Sequence, residues 1–225
     1  AKLYFRAPDG TQTELCADMN EAFSQSFTMK GVLYLMDGKT YRAVRKSSKN
    51  TVWEAVSVSG TAYVPTTTIS AAPTGGGTSY EAVNLLTPKR INTFIGDGTA
   101  TQFKVDATDL DETAVTAEVN GSAVTVSAVN RSTGLVTLAA APANGNGLAN
   151  VSIAFAKTVS GHADKINKCR FAGLYGGKND TRVFLSGNPD EPDCDWQSGL
   201  YDPTYFPDTG YTRMGTDASA IVGYL

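Results

Sequence analysis

Short runs of alternating apolar and polar residues, each closed by residues that turn the backbone sharply, recur from one end of this chain to the other. A two-residue period with frequent turns is the signature of half-buried β-strands, and windows with the 3.6-residue apolar period of a helix are scarce. The clearest hairpin joins Val32–Met36 to Lys39–Val44 through Asp37-Gly38, a pair that accepts the positive φ angles of a tight turn. Thr51–Val58 follows as a third strand, so the N-terminal part reads as an antiparallel meander. The expected fold class is all-β.

Three changes of composition divide the chain. From Tyr63 to Pro88, Pro65, Pro73, Gly75-Gly76-Gly77 and Pro88 interrupt the alternation too often for the interior of a sheet, and the segment reads as an extended arm. Its apolar residues suit packing against another surface, and Glu81–Leu86 has room for one helical turn. Residues 92–158 are rich in Thr, Val, Ala, Asn and Gly and contain no Cys, Trp or Tyr. Strands are expected at Gln102–Asp106, Val115–Asn120, Ala123–Ala128, Gly134–Ala139 and Asn150–Ala156, with Phe103 and Val105, Val124 and Val126, and Ile153 and Phe155 on one face. Such a segment fits a small β-sandwich. After Val159 the aromatic-rich character of the first part returns, with strands expected at Arg182–Gly187 and Ala220–Leu225 and a short helix or turn at His162–Lys168. The expected organisation is a discontinuous outer domain, 1–91 and 159–225, with an arm at about 63–88 and an inserted sandwich at 92–158. Lys2–Phe5 reads as a strand with almost nothing before it and Ile221–Leu225 as an apolar strand with no polar tail, the pattern expected of part of a longer polypeptide or of strands completed by a neighbour.

Composition narrows the function. Charged residues make up 18% of the 225 positions, the net charge is −3, and no excess of Lys and Arg supplies a general phosphate-neutralising surface. No apolar run approaches the roughly 20 residues that span a bilayer. Cys16, Cys169 and Cys194 are too widely spaced for a metal knuckle, and a reduced compartment is the simpler reading of an odd number. The single histidine, His162, has Asp164 two residues on, but no serine sits in a Gly-x-Ser-x-Gly elbow, so a turn or helix start is favoured over a catalytic pair. Gly75–Gly77 and Ile95–Thr99 lack the Lys-Ser/Thr and helix of a phosphate loop and read as turns. Asp190, Glu191, Asp193 and Asp195 form an acidic run that suits a hard cation or a solvated turn, and the sequence leaves that choice open. No catalytic residue, no metal set and no cofactor is expected.

Several stretches resemble structural proteins of tailed bacteriophages and of prophages in Gram-positive bacteria. They are Ala62–Thr67, Pro73–Glu81 with Asn84–Leu86, and Arg182–Pro189 with Trp196–Pro207. The segment from Phe94 to Phe103, Val119–Gly121, Gly134–Leu138 and Ala141-Pro142 is similar to small β modules repeated in phage tail and fibre proteins. Ser186–Pro189 and Trp196–Pro203 look like blades of the β-propellers in phage tail hubs and nozzles. The residues outside the insert are too few for a large propeller at about 40 per blade, so the resemblance implies a blade pair or truncated propeller carrying a sandwich. It further implies a non-enzymatic tail or head–tail component, assembled in the bacterial cytoplasm into a virion and acting as an oligomer through interfaces with other virion proteins. Tyr63, Tyr80, Leu85 and Leu86 of the arm are the expected anchors on a neighbouring subunit. The aromatic loop residues Trp196, Tyr201, Tyr205 and Phe206 suit an interface or, in the alternative reading, stacking on a host-surface glycan by a receptor-binding module. A propeller-type hydrolase is the third reading, resting only on the acidic loops.

Overall fold

The computed structural model describes residues 1–47, 52–177, 181–216 and 219–225. Among them the chain is mostly β, with several antiparallel sheets and one short helix. It divides into two compact units, one of Ala1–Tyr63 with Ser160–Leu225 and one of Val64–Val159.

In the first unit β1 (Leu3–Arg6) and β2 (Gln12–Cys16) form a hairpin. Strands β3 (Gln25–Met29), β4 (Val32–Met36), β5 (Tyr41–Lys46) and β6 (Trp53–Ser57) then form a four-stranded antiparallel sheet in sequence order. The start of the third expected strand, Thr51, lies outside the described residues. The β4–β5 turn shows why Asp37-Gly38 works: Gly38 takes φ +75°, and the buried Asp37 carboxylate accepts from the backbone N–H groups of Lys39, Thr40 and Asn20.

In the second unit β7 (Thr66–Ala71), β8 (Thr78–Ser79), β9 (Lys89–Phe94), β11 (Thr116–Val119), β12 (Ser122–Val124) and β15 (Val151–Ala156) form a six-stranded sheet in the order β12-β11-β15-β9-β7-β8. Strands β10 (Gln102–Lys104), β13 (Val126–Asn130) and β14 (Leu135–Leu138) form a three-stranded sheet in the order β10-β14-β13. The core includes Phe94, Phe103, Val136, Leu138, Val151, Ile153 and Phe155, with the Phe94 and Phe103 rings edge to face at 5.4 Å.

Three expectations are corrected here. The stretch 64–88 is no free arm: β7 lies inside the six-stranded sheet, parallel to β9 and antiparallel to β8, and the compact unit begins at Val64 rather than at Asn92. Glu81–Leu86 makes no helical turn; the Asn84 side chain accepts from the Leu86 N–H in a tight turn. The single strand expected at Ala123–Ala128 is instead split at Thr125 between two sheets, and Val124 is exposed rather than on the core face.

After the insert, the first unit resumes with α1 (His162–Asn167) and with β16 (Phe171–Tyr175), β17 (Arg182–Ser186), β18 (Cys194–Gln197) and β19 (Tyr211–Arg213), a second four-stranded antiparallel sheet in sequence order. Residues 219–225 form no strand, contrary to the pattern of Ala220–Leu225.

The two distant stretches of this unit are locked around Tyr41, which is fully buried. Its hydroxyl donates to the Pro203 carbonyl at 3.0 Å, and its N–H donates to the Asn167 side chain at 3.1 Å. Its ring meets Phe206 edge to face and stacks with Tyr34 and Phe27. Gln25 adds a further tie by accepting from the Ala172 N–H. Tyr41→Phe strands the Pro203 carbonyl in the interior and is expected to cost about 1–3 kcal/mol in denaturant unfolding of this unit. Tyr175→Phe, at a residue 78% exposed, is expected to stay within about 0.5 kcal/mol of the parent.

Candidate functional site

The expected site residues fall into two groups by burial. Leu85 and Leu86 are each 2% exposed, Trp196 1% and Phe206 0%, so all four are interior residues of their own units and present no surface to a partner. Tyr63 and Tyr80 are exposed, and Tyr201 and Tyr205 are half-buried. Tyr63 and Tyr205 pack ring to ring at 5.1 Å, and the Tyr63 N–H donates to the Thr204 carbonyl. Tyr201 adopts φ +51°, a left-handed conformation costly for an aromatic residue, and its N–H donates to the Thr181 carbonyl. Asp202 supports this loop by accepting from the Thr204 N–H and hydroxyl. Of the expected residues, Tyr63, Tyr80, Tyr201 and Tyr205 therefore offer aromatic surface. Trp196 holds the second sheet from within.

The acidic run is spent on protein partners. Asp190 pairs with Lys168 at 2.7 Å, Glu191 with Arg213 at 3.0 Å and Lys165 at 3.6 Å, and Asp193 with Arg213 at 2.8 Å. Asp195 accepts from the Tyr224 hydroxyl. Burial holds the Asp195 carboxyl above the usual carboxylate range. Among the described residues no group of three or more His, Cys, Asp or Glu side chains is arranged to hold a metal ion. His162 opens α1, and the Asp164 carboxylate turns to Lys168 at 3.4 Å. The glycines Gly75–Gly77 reverse the chain between β7 and β8; Gly77 has φ +93°, and a Cβ there would stand 2.7 Å from the Ile69 carbonyl oxygen. Asp97 likewise closes its own turn, accepting from the N–H groups of Thr99 and Ala100.

One polar cluster had no signal in the sequence. A single oxygen of Asp106, Oδ2, accepts from the Thr67 hydroxyl at 2.6 Å, the Thr68 hydroxyl at 2.8 Å and the Asn92 amide at 2.9 Å, while Asn92 Oδ1 accepts from the Asp106 N–H. Thr67, Thr68 and Asn92 are buried. The cluster borders a cleft of about 410 Å³ whose rim includes Gly75, Gly76 and Lys104. Its first effect is structural: it satisfies the hydroxyls of a threonine-rich inner strand, which otherwise would carry unpaired polar atoms into the sheet.

Cys169 and Cys194 are fully buried and Cys16 is partly exposed, all three as free thiols. Burial pushes the Cys169 thiol well up, and burial with the neighbouring Glu191 pushes Cys194 up to about 11. Neither is an activated nucleophile.

Compared with protein-family models, with curated proteins and with solved structures, the chain has no match in any of the three.

Three measurements follow from this geometry. Trp196→Ala is expected to destabilise the first unit by about 3–5 kcal/mol, read as a lowered unfolding midpoint. Asp106→Ala removes the carboxylate that three donors share and is expected to cost the second unit about 1–3 kcal/mol. Because Cys194 is a weaker acid folded than unfolded, unfolding above the ordinary thiol value of 9.0 releases a proton; its contribution is full below that pH and is lost as pH rises to about 11. Cys194→Ala is expected to flatten that part of the stability–pH curve.

Proposed function

We propose that this chain is a non-enzymatic structural component of a tailed bacteriophage or prophage particle, in the tail or head–tail region, working through subunit interfaces. The observation that carries the reading is apolar side chains standing exposed on the outermost strands of their sheets. Leu174 and Tyr175, 46% and 78% exposed, lie on β16 at the edge of its sheet, with Tyr211 on the opposite edge strand β19 and Val124 on edge strand β12. Apolar side chains exposed along edge strands mark surfaces for association, and a protein built for assembly puts them under a partner.

The strand order adds support. Each four-stranded sheet of the first unit runs β3-β4-β5-β6 or β16-β17-β18-β19 without crossover, the up-and-down pattern of a propeller blade. Under this reading the unit is a pair of blades and the second unit is a small sandwich-like module set into the connection between them. The sheet residues supply shape and edges for interfaces that form once and persist. The particle is assembled in the bacterial cytoplasm, and its other structural proteins are the partners. No helix among the described residues is long and apolar enough to cross a membrane.

A second reading, a receptor-binding module for host-surface glycan, draws on the Tyr63–Tyr205 pair rather than on buried Trp196. The first reading is checked by mass spectrometry of gradient-purified particles from the encoding phage: peptides of this chain are expected at structural-protein abundance, and their absence overturns it. A glycan array separates the second, since only a receptor-binding module gives a selective signal that Tyr205→Ala removes.

A further inference from the structure

On the second sheet of the first unit, one side chain is received by a socket built for it. Residues 219–225 run over this sheet without regular secondary structure. Their main-chain tie to it is the Ile221 N–H donating to the Pro192 carbonyl at 2.9 Å. Val222 is 81% exposed and Leu225 is fully exposed, so neither contributes much burial. Recognition is concentrated in Tyr224. Its ring lies on Gly173 of β16, where a Cβ would stand 3.0 Å from the ring's Cγ. Its hydroxyl donates to Oδ1 of Asp195 on β18, a residue only 6% exposed. Ser186 of β17, fully buried, completes the surroundings, and its hydroxyl makes no hydrogen bond among the described residues.

A bare glycine floor for an aromatic ring, with a buried carboxylate placed to accept from a phenol, distinguishes tyrosine from every other residue. Phenylalanine fills the floor and leaves the carboxylate without its donor. Histidine and tryptophan do not place a donor at the same reach. The arrangement has the form of an interface hot spot, a single half-buried aromatic anchor reaching a buried acceptor, with near-neutral flanks. An anchor of this kind, on an extended segment with few other ties, makes the same contacts whether it arrives from its own chain or from another, so exchange between copies changes little in contact energy.

We propose that the Gly173–Ser186–Asp195 socket is a docking site for a tyrosine-bearing extended peptide in trans, and that its occupant in an assembly is the 219–225 segment of a second copy of this chain. The proposal rests on the reading of the chain as an assembly protein, but its test does not involve the particle, so the two fail independently.

The full chain carrying Tyr224→Ala keeps the socket and loses its own occupant. Titrating it with the acetylated peptide Ala-Ile-Val-Gly-Tyr-Leu, followed by calorimetry or by NMR of the Gly173 and Asp195 amides, is expected to give saturable binding. The same peptide with Phe for Tyr is expected to bind about tenfold more weakly, the loss of a hydrogen bond to a charged acceptor. No binding to a Tyr224→Ala chain that keeps its circular dichroism, or equal binding of the two peptides, overturns the socket. The second copy as source is tested by mixing Tyr224→Ala, which has an open socket, with Gly173→Ala, which has the tyrosine and a blocked socket. A one-to-one complex by native mass spectrometry is expected; two species that stay apart overturn it. Should Gly173→Ala fail to fold, Asp195→Asn takes its place, keeping the tyrosine and weakening the socket.

Discussion

A unit assembled from two stretches of chain nearly a hundred residues apart depends on whatever joins them, and here that is Tyr41. A buried phenol must find a hydrogen-bond partner or lose on the order of 1–3 kcal/mol, and the Pro203 carbonyl is that partner. The same residue offers its N–H to Asn167 and its ring to Phe206. Three groups from the later stretch thus converge on one residue of the earlier one, and Ala172 on Gln25 is a parallel tie. Loop-closure entropy grows slowly with length, which is why a long insertion between the two stretches is thermodynamically tolerable once such a junction exists.

Turns throughout the molecule are closed by short side chains with carbonyl or carboxylate oxygens. Asp37, Asn84, Asp97, Asn144, Asn188 and Asp202 each accept from the backbone two residues on. A carboxylate used in this way or paired with a lysine or arginine has its lone pairs engaged. This is how a chain with a long acidic run and many exposed oxygens comes to commit them to architecture. Asp190, Glu191 and Asp193 draw Lys165, Lys168 and Arg213 together around the β17–β18 loop.

The proposed assembly role and the tyrosine socket meet in a common physical requirement. Persistent interfaces need anchors that are specific and desolvated, set among flanks that exclude water without adding much energy. Asp195 fits that requirement because burial raises the cost of leaving its charge unpaired, so a donor that reaches it is held strongly and a side chain without one is rejected. The apolar side chains exposed on edge strands β12, β16 and β19 supply area, and the socket supplies specificity.

Much of the β architecture was legible in the residues. Asp37-Gly38 and Asn120-Gly121 both close hairpins, the first as a four-residue turn in which only Gly38 takes a positive φ, and the runs expected at 32–36, 39–44 and 150–156 became strands at Val32–Met36, Tyr41–Lys46 and Val151–Ala156. What the sequence concealed was any element whose inner face is polar. Strand β7 buries Thr67 and Thr68 against Asp106, 39 and 38 residues away, and no local pattern announces that pairing. Burial of Trp196, Phe206, Leu85 and Leu86 was equally hidden, because an aromatic or leucine beside prolines looks the same whether it pins a loop or meets a partner. Residues 219–225 show the converse: apolar alternation suggested a strand, but a strand exists only where a neighbour offers its hydrogen bonds, and here Tyr224 and the Ile221 N–H tie the segment instead. Local composition by itself determined where the chain turns and that it pairs as sheets. Only the tertiary structure decided which polar groups satisfy one another across long separations, because that depends on which distant residues the folded chain brings within about 3 Å.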